Sequence, residues 1–197
     1  MNYSIYAEST PNPEVMKFVA NRMLADKSLE ILNSTDAKNI PLANELFKLP
    51  FIKSVFISTN FVSVTKIEKV EWENIAMQLR IYISDFLNSI DVMNHTENIS
   101  ANIEVDEKKV INDQREFIGD EREIAEILDE YIRPAVASDG GNIAFKSYDE
   151  ESKVVSVILQ GACSGCPSST ITLKNGIETM LQEMLPNEIS QVVAING

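Results

Sequence analysis

A break in hydrophobic periodicity between residues 91 and 118 constrains the fold of this chain more than any other feature. On either side of it, apolar residues recur at the spacings of strands and helices, whereas the segment itself is acidic and rich in Asn and Glu. Such a composition cannot bury a core. The chain of 197 residues is therefore predicted to form two small domains, 1–90 and 119–197, joined by an acidic linker, 91–118.

The first half is predicted to combine a small sheet with two helices. Alternating apolar residues indicate strands, and a helix is expected to begin at Pro41 and to stop before Pro50. A hairpin through Thr59-Asn60 and a long amphipathic helix follow it. The predicted strands are residues 4–7, 15–19, 29–32, 52–58 and 61–67, and the apolar stripe of the long helix runs from Ile75 to Leu87.

The second half is predicted to be an α-β-β-α-β open sheet with helices packed on it, which makes the whole chain α+β. Its first helix is expected to span residues 120–133, with Pro134 limiting its end. Asp139-Gly140-Gly141 is predicted to be a turn that needs positive φ. The remaining predicted elements are a hairpin of residues 143–148 and 153–160, a helix over 167–185 and a last strand over 189–195.

The chain has only two cysteines, Cys163 and Cys166, and both lie between a predicted strand and a predicted helix. Pro167 at the first helical position would place the Cys166 thiol at a helix N-terminus, where the helix dipole and free amides favour a thiolate. Gly161 and Gly165 let the backbone wrap closely around whatever the sulfurs bind. Iron, zinc and disulfide exchange all require thiolates, so the spacing alone does not choose among them.

The number of available ligands limits the kinds of site that the two cysteines can form. A tetrahedral zinc site or a cubane iron–sulfur cluster normally takes four protein ligands, whereas this chain offers two cysteines and one histidine, His95, which lies in the predicted linker. Either the pair works as a reversible dithiol in an oxidoreductase, or two chains pool four thiolates across a two-fold axis. Zinc bound in that shared geometry, and a merely structural pair, remain as further alternatives.

The charge of the chain excludes several partners. Its net charge is −13, from ten acids against nine bases in residues 1–90, seven against three in 91–118 and thirteen against five in 119–197. Nucleic acid and anionic membrane surfaces require clustered Lys and Arg, so neither is expected as a partner. Because no secretory or organellar leader pattern follows Met1 and no apolar run reaches membrane-spanning length, we predict a cytoplasmic protein with reduced cysteines.

The ordered motifs of both halves resemble the Nfu family, whose members combine an Nfu N-terminal domain with the NifU C-terminal domain. The second half matches at Ile132-Arg133-Pro134, Asp139-Gly140-Gly141, Leu159-Gln160-Gly161, Cys163-Ser164-Gly165-Cys166-Pro167-Ser168-Ser169 and Thr172-Leu173-Lys174-Asn175-Gly176-Ile177-Glu178. The first half matches at Thr10-Pro11-Asn12-Pro13, Lys17-Phe18, Pro41-Leu42-Ala43, Leu46-Phe47, Lys53-Ser54-Val55-Phe56 and Val64-Thr65-Lys66. Two departures are Asn142, where an acidic residue is usual, and Ser58-Thr59-Asn60 in place of a Gly-containing turn.

The resemblance implies an iron–sulfur cluster carrier that is not an enzyme. By this resemblance Cys163 and Cys166 are the metal ligands, and a homodimer shares one 4Fe-4S cluster between its two chains. Gly161, Gly165 and Pro167 shape the loop that holds the sulfurs. The implied partners are a second copy of the chain, an upstream cluster scaffold that donates the cluster, and apo iron–sulfur proteins that receive it.

Overall fold

The computed structural model describes residues 2–96, 117, 119–164 and 167–196. The chain divides into two compact units, residues 1–110 and 111–197. Each unit combines helices with its own sheet, which confirms the α+β class. In the described part of the chain, no helix combines the length and apolar character that a membrane crossing requires.

The first unit contains all the elements predicted for it. These elements are β1 Ile5–Ser9, β2 Val15–Ala20, β3 Leu29–Ile31, α1 Pro41–Leu46, β4 Ile52–Ser58, β5 Phe61–Lys66 and α2 Trp72–Thr96. The five strands form one antiparallel sheet in the order β1-β2-β5-β4-β3. Helix α1 is shorter than predicted and ends four residues before Pro50.

The apolar stripe of α2 packs against one face of this sheet. Leu79 and Ile83 are almost fully buried there and belong to the same core as Phe18 of β2. At the start of the helix, the Trp72 ring meets Phe18 edge-on at 6.3 Å. Its indole Nε1 donates a hydrogen bond to the Pro13 carbonyl oxygen at 3.1 Å, which satisfies the one polar atom of the buried ring.

The turn between β4 and β5 holds a non-glycine residue in a strained backbone conformation. Thr59 adopts a φ of +41°, a region that glycine enters readily and a β-branched residue does not. The carbonyl oxygen of Thr59 accepts hydrogen bonds from the amides of Leu24 and Ala25, at 2.6 and 3.1 Å. These contacts hold the turn in place where a family-typical glycine is missing.

Helix α2 reaches Thr96, and it therefore enters the segment 91–118 that the sequence predicts as a linker. His95, expected in a polar loop, lies in the last turn of this helix. Apart from these helical residues and Phe117, the predicted linker lies outside the described residues, so the domain boundaries remain a prediction.

The second unit has the predicted α-β-β-α-β order. The elements are α3 Asp120–Ile127, a π-helical turn Leu128–Ile132, α4 Arg133–Ser138, β6 Gly141–Asp149, β7 Val154–Gly161, α5 Pro167–Met184 and β8 Gln191–Asn196. The sheet has the order β6-β7-β8, with β6 antiparallel to β7 and β8 parallel to β7. Helix α5 connects the two parallel strands, and its buried side chains Ile177 and Leu181 pack into the core.

The prediction that Pro134 ends the first helix of this unit is wrong. The chain stays helical to Ser138, because the π-helical turn precedes the proline. In that turn the amide of Arg133 donates to the Leu128 carbonyl, one residue further back than in an α-helix. Pro134 then occupies the first turn of α4, where its missing N–H donor is tolerated.

Candidate cysteine site

The glycine pair at the end of α4 lies next to the cysteine loop. Gly140 has a φ of +81°, which confirms the predicted positive-φ turn. Its carbonyl oxygen accepts a hydrogen bond from the amide of Ala162 at 3.2 Å. Gly141 then opens β6 and pairs with Gly161, the last residue of β7. The turn therefore borders the loop that carries Cys163.

Two hydrogen bonds hold the described part of the cysteine loop, residues 161–164. It leaves β7 at Gly161, whose φ is +63°, and the Ser164 amide donates back to the Gly161 carbonyl at 3.0 Å. From the first turns of α5, the Thr170 hydroxyl donates to the Cys163 carbonyl at 3.2 Å. Gly161 thus has the loop-shaping role that the resemblance implies, whereas nothing in the sequence singled out Thr170.

Cys163 is a free cysteine whose side chain points into the core. The residue is 7% exposed and belongs to the same apolar cluster as Ile143, Ile177 and Leu181. Its sulfur lies only 2.6 Å from the point that a Cβ atom on Gly141 would occupy. The thiol therefore fills the space that the missing side chain of Gly141 leaves.

This environment disfavours a thiolate at Cys163. Burial raises the pKa of the Cys163 thiol to about 12, and the negative charge of Asp139 adds to the effect. The thiol is therefore protonated at neutral pH. The thiolate-favouring position that the sequence predicts belongs to Cys166. Helix α5 does begin at Pro167 as predicted, but Cys166 and Gly165 lie outside the described residues.

The described residues contain no group of three or more His, Cys, Asp or Glu side chains that could hold a metal ion. The assignment of Cys163 and Cys166 as ligands remains a prediction.

Asn142, the residue that departs from the family pattern, bridges two strands. Its Nδ2 donates to the Oε1 of Gln160 at 3.0 Å, and Gln160 is buried. This hydrogen bond joins β6 to β7 immediately before the cysteine loop. An amide at position 142 can donate to that oxygen, whereas an ionised carboxylate can only accept.

Family comparisons match both halves of the chain. A model described as "Scaffold protein Nfu/NifU N terminal" matches residues 5–90, and one described as "NifU-like domain" matches residues 124–193. The chain belongs to the Nfu/NifU-like family. The resemblance predicted from the ordered motifs is therefore confirmed, and the second match includes the whole cysteine loop.

Curated relatives match over nearly the whole chain. "NFU1 iron-sulfur cluster scaffold homolog, mitochondrial" from Drosophila erecta is 38% identical over 184 residues, which are 92% of this chain and 62% of the relative. The protein of the same name from Drosophila ananassae is 36% identical over 187 residues, 94% of this chain and 62% of the relative. The chain thus spans about three fifths of the length of these relatives.

Among solved structures, a NifU-like protein from Saccharomyces cerevisiae is 25% identical and covers 45% of this chain and 77% of its own. The TM-score of this comparison is 0.38.

The predicted cytoplasmic location is contradicted by these relatives. Several are named mitochondrial, which points to mitochondria instead. The prediction relied on the first residues of the sequence, and these cannot decide the location of a chain whose relatives are longer.

Proposed function

We propose that this protein carries iron–sulfur clusters: two chains hold one 4Fe-4S cluster through Cys163 and Cys166 of each chain and pass it to apo-proteins. Membership of the Nfu/NifU-like family and the relatives named iron-sulfur cluster scaffold support this proposal. The structural observation that supports it is that Cys163 is a free cysteine in the loop between β7 and α5, the segment that also contains Cys166 in the sequence.

In this proposal the cluster is transferred to other proteins, and one chain cannot bind it without a second chain. A cubane cluster normally takes four protein ligands, and two cysteines per chain supply four only when two chains meet. A two-fold axis places the same loop of both chains opposite each other, so one self-complementary surface patch supplies all four thiolates. A cluster held in this way lies at an interface, where the thiols of an acceptor protein can reach it.

Loading and release are then ligand exchanges. Each thiol that binds iron releases its proton, and each sulfur that an acceptor thiol replaces takes a proton up again. No electrons need to be transferred and no general base is required, so the proposal assigns no enzyme activity. The hydrogen bonds at Gly161 and Cys163 keep the backbone of residues 161–164 in position while the Cys163 side chain changes partners.

The proposed partners follow from the same chemistry. A second copy of the chain completes the site, an upstream scaffold donates the cluster, and apo iron–sulfur proteins accept it. Residues 119–197 carry thirteen acids against five bases. Electrostatic complementarity therefore favours partners that present a basic surface to this domain.

Anaerobic reconstitution with iron and sulfide tests the proposal. The wild type, Cys163→Ser and Cys166→Ser are compared by iron and zinc analysis and by size-exclusion chromatography. Gly176→Ala serves as a control, because a side chain at that helical position meets nothing within 4 Å. The wild type and the control are expected to bind about four irons per pair of chains and to elute as dimers.

Either Cys→Ser variant is expected to lose the iron together with any dimer that the cluster induces. A monomer that binds no iron but reduces disulfides would contradict the proposal and favour the dithiol oxidoreductase. Tight zinc in place of iron, with no cluster formed under reconstitution, would favour a shared zinc site.

A further inference from the structure

The two adjacent glycines before β6 serve different physical purposes. Gly140 adopts a φ of +81°, so its backbone conformation explains why a glycine stands there. Gly141 is not among the residues with positive φ. Most residues could adopt its backbone conformation, and the reason for a glycine at position 141 must lie in the surrounding space.

That space is occupied by the Cys163 side chain. A Cβ atom at position 141 would lie 2.6 Å from the Cys163 sulfur and 3.2 Å from the Cys163 Cβ atom. It would also lie 2.7 Å from the carbonyl oxygen of Gln160. Non-bonded carbon atoms do not approach sulfur or oxygen this closely. A side chain at position 141 would therefore force the Cys163 sulfur to move, together with the strand backbone at Gln160.

The inward position is incompatible with a cluster that is shared between chains. Cys163 is 7% exposed and packs in the core of its own unit. A sulfur that binds iron at an interface has to reach the surface. The loop backbone is held by the Ser164–Gly161 and Thr170–Cys163 hydrogen bonds, so rotation of the Cys163 side chain is the smallest movement that brings the sulfur out.

We propose that Gly141 is a positioning residue, which stores the Cys163 thiol in the core of the unloaded chain, and that cluster uptake begins when this thiol turns outward. The storage step follows from the packing alone, whereas its part in uptake rests on the proposed function. Oxidants react with exposed thiolates first, and metal ions bind to them first. A thiol that is buried in the core is therefore protected from both.

Alkylation of the unloaded full-length chain tests the storage step. Cys166→Ser makes Cys163 the only cysteine, and its reaction with iodoacetamide is followed by mass spectrometry under anaerobic conditions. Adding Gly141→Ala is expected to raise the rate at least about tenfold, because the displaced thiol becomes accessible. Adding Gly176→Ala, which meets nothing within 4 Å, is expected to leave the rate unchanged. Equal rates in all three folded proteins would overturn the storage step.

A second measurement separates displacement of the thiol from general loosening of the fold. Thermal unfolding is measured for Gly141→Ala with Cys163 present and with Cys163→Ala. The close contact with the Gln160 carbonyl is present in both proteins, so its effect cancels when they are compared. The close contact with the sulfur is present only in the protein that retains Cys163. Gly141→Ala is expected to lower the melting temperature less when Cys163 is replaced, and equal losses would contradict the proposal.

The loading rate connects storage to uptake. With both cysteines present, Gly141→Ala is expected to take up the cluster faster than the wild type and to reach the same iron content. An unchanged or slower rate, with Cys163 alkylated faster, would overturn the role in uptake and leave the storage step standing. If no protein took up a cluster, including the wild type, the proposed function would fail while the alkylation result kept its meaning.

Discussion

Alkaline pH should destabilise the second unit through Cys163. The folded chain raises the pKa of this thiol to about 12 from an ordinary value of 9.0, mainly by burial. Because the protonated form is favoured in the folded state, the stabilising contribution is fully present below pH 9.0 and is lost as the pH rises towards 12. Replacing Cys163 with Ala removes this pH dependence together with the thiol.

The size of the effect follows from the shift. Each pH unit between the two pKa values changes the free energy of unfolding by about 1.4 kcal/mol per titrating group. At a pH about one unit above the ordinary pKa, the chain with Cys163 should therefore have lost about 1.4 kcal/mol relative to its value at neutral pH. That loss is a large share of the stability of a small domain.

Urea denaturation at a series of pH values between neutral and about 10 provides the assay. The two proteins are Cys166→Ser and Cys163→Ala/Cys166→Ser, both kept reduced, so tyrosines and lysines titrate equally in each and cancel in the difference. The stability advantage of the protein with Cys163 should shrink as the pH rises. A difference that stays constant over this range would refute the burial of the thiol in the folded chain.

Substitutions at Thr170, Leu181 and Glu45 test three separate sets of contacts. Thr170→Val, which removes the hydroxyl bound to the Cys163 carbonyl, should lower the free energy of unfolding by about 1 kcal/mol in urea titrations, and Thr170→Ser should restore it. Leu181→Ala at a fully buried site should cost about 2–5 kcal/mol in the same assay, against less than about 0.5 for Ile171→Ala at an exposed site. Hydrogen bonds from Lys48 and Tyr82 lower the pKa of Glu45. The ionised carboxylate should therefore stabilise the first unit at pH values above its ordinary pKa, and this stabilisation should be lost as the carboxylate is protonated at lower pH. Unfolding of Glu45→Gln should therefore depend less on pH below about 5.

The sequence predicts the elements of both sheets well because their apolar periodicity is regular. The strands of the first unit and the order of the second all follow from alternation and helical spacing. The helix through Pro134 was missed, because a π-helical turn depends on how one turn packs and leaves no spacing signal in the residues.

The sequence predicts where the cysteine loop lies along the chain, but it does not predict the conformation of Cys163. The two cysteines, the glycines and Pro167 indicate a loop that leads into a helix, and α5 begins where expected. The inward position of Cys163 depends on Gly141, which lies far from it in sequence and meets it only through the pairing of Gly141 with Gly161. Local sequence patterns cannot show such a contact, and so the raised pKa of Cys163 could not be predicted.

Native mass spectrometry of the anaerobically reconstituted protein tests the central claim most directly, because it weighs each loaded species. We predict that the mass of one 4Fe-4S cluster is found on pairs of chains and not on single chains. Mixing wild-type and Cys163→Ser chains should give loaded wild-type dimers only. Loaded monomers, or loaded dimers of Cys163→Ser, would contradict a cluster shared through Cys163 and Cys166.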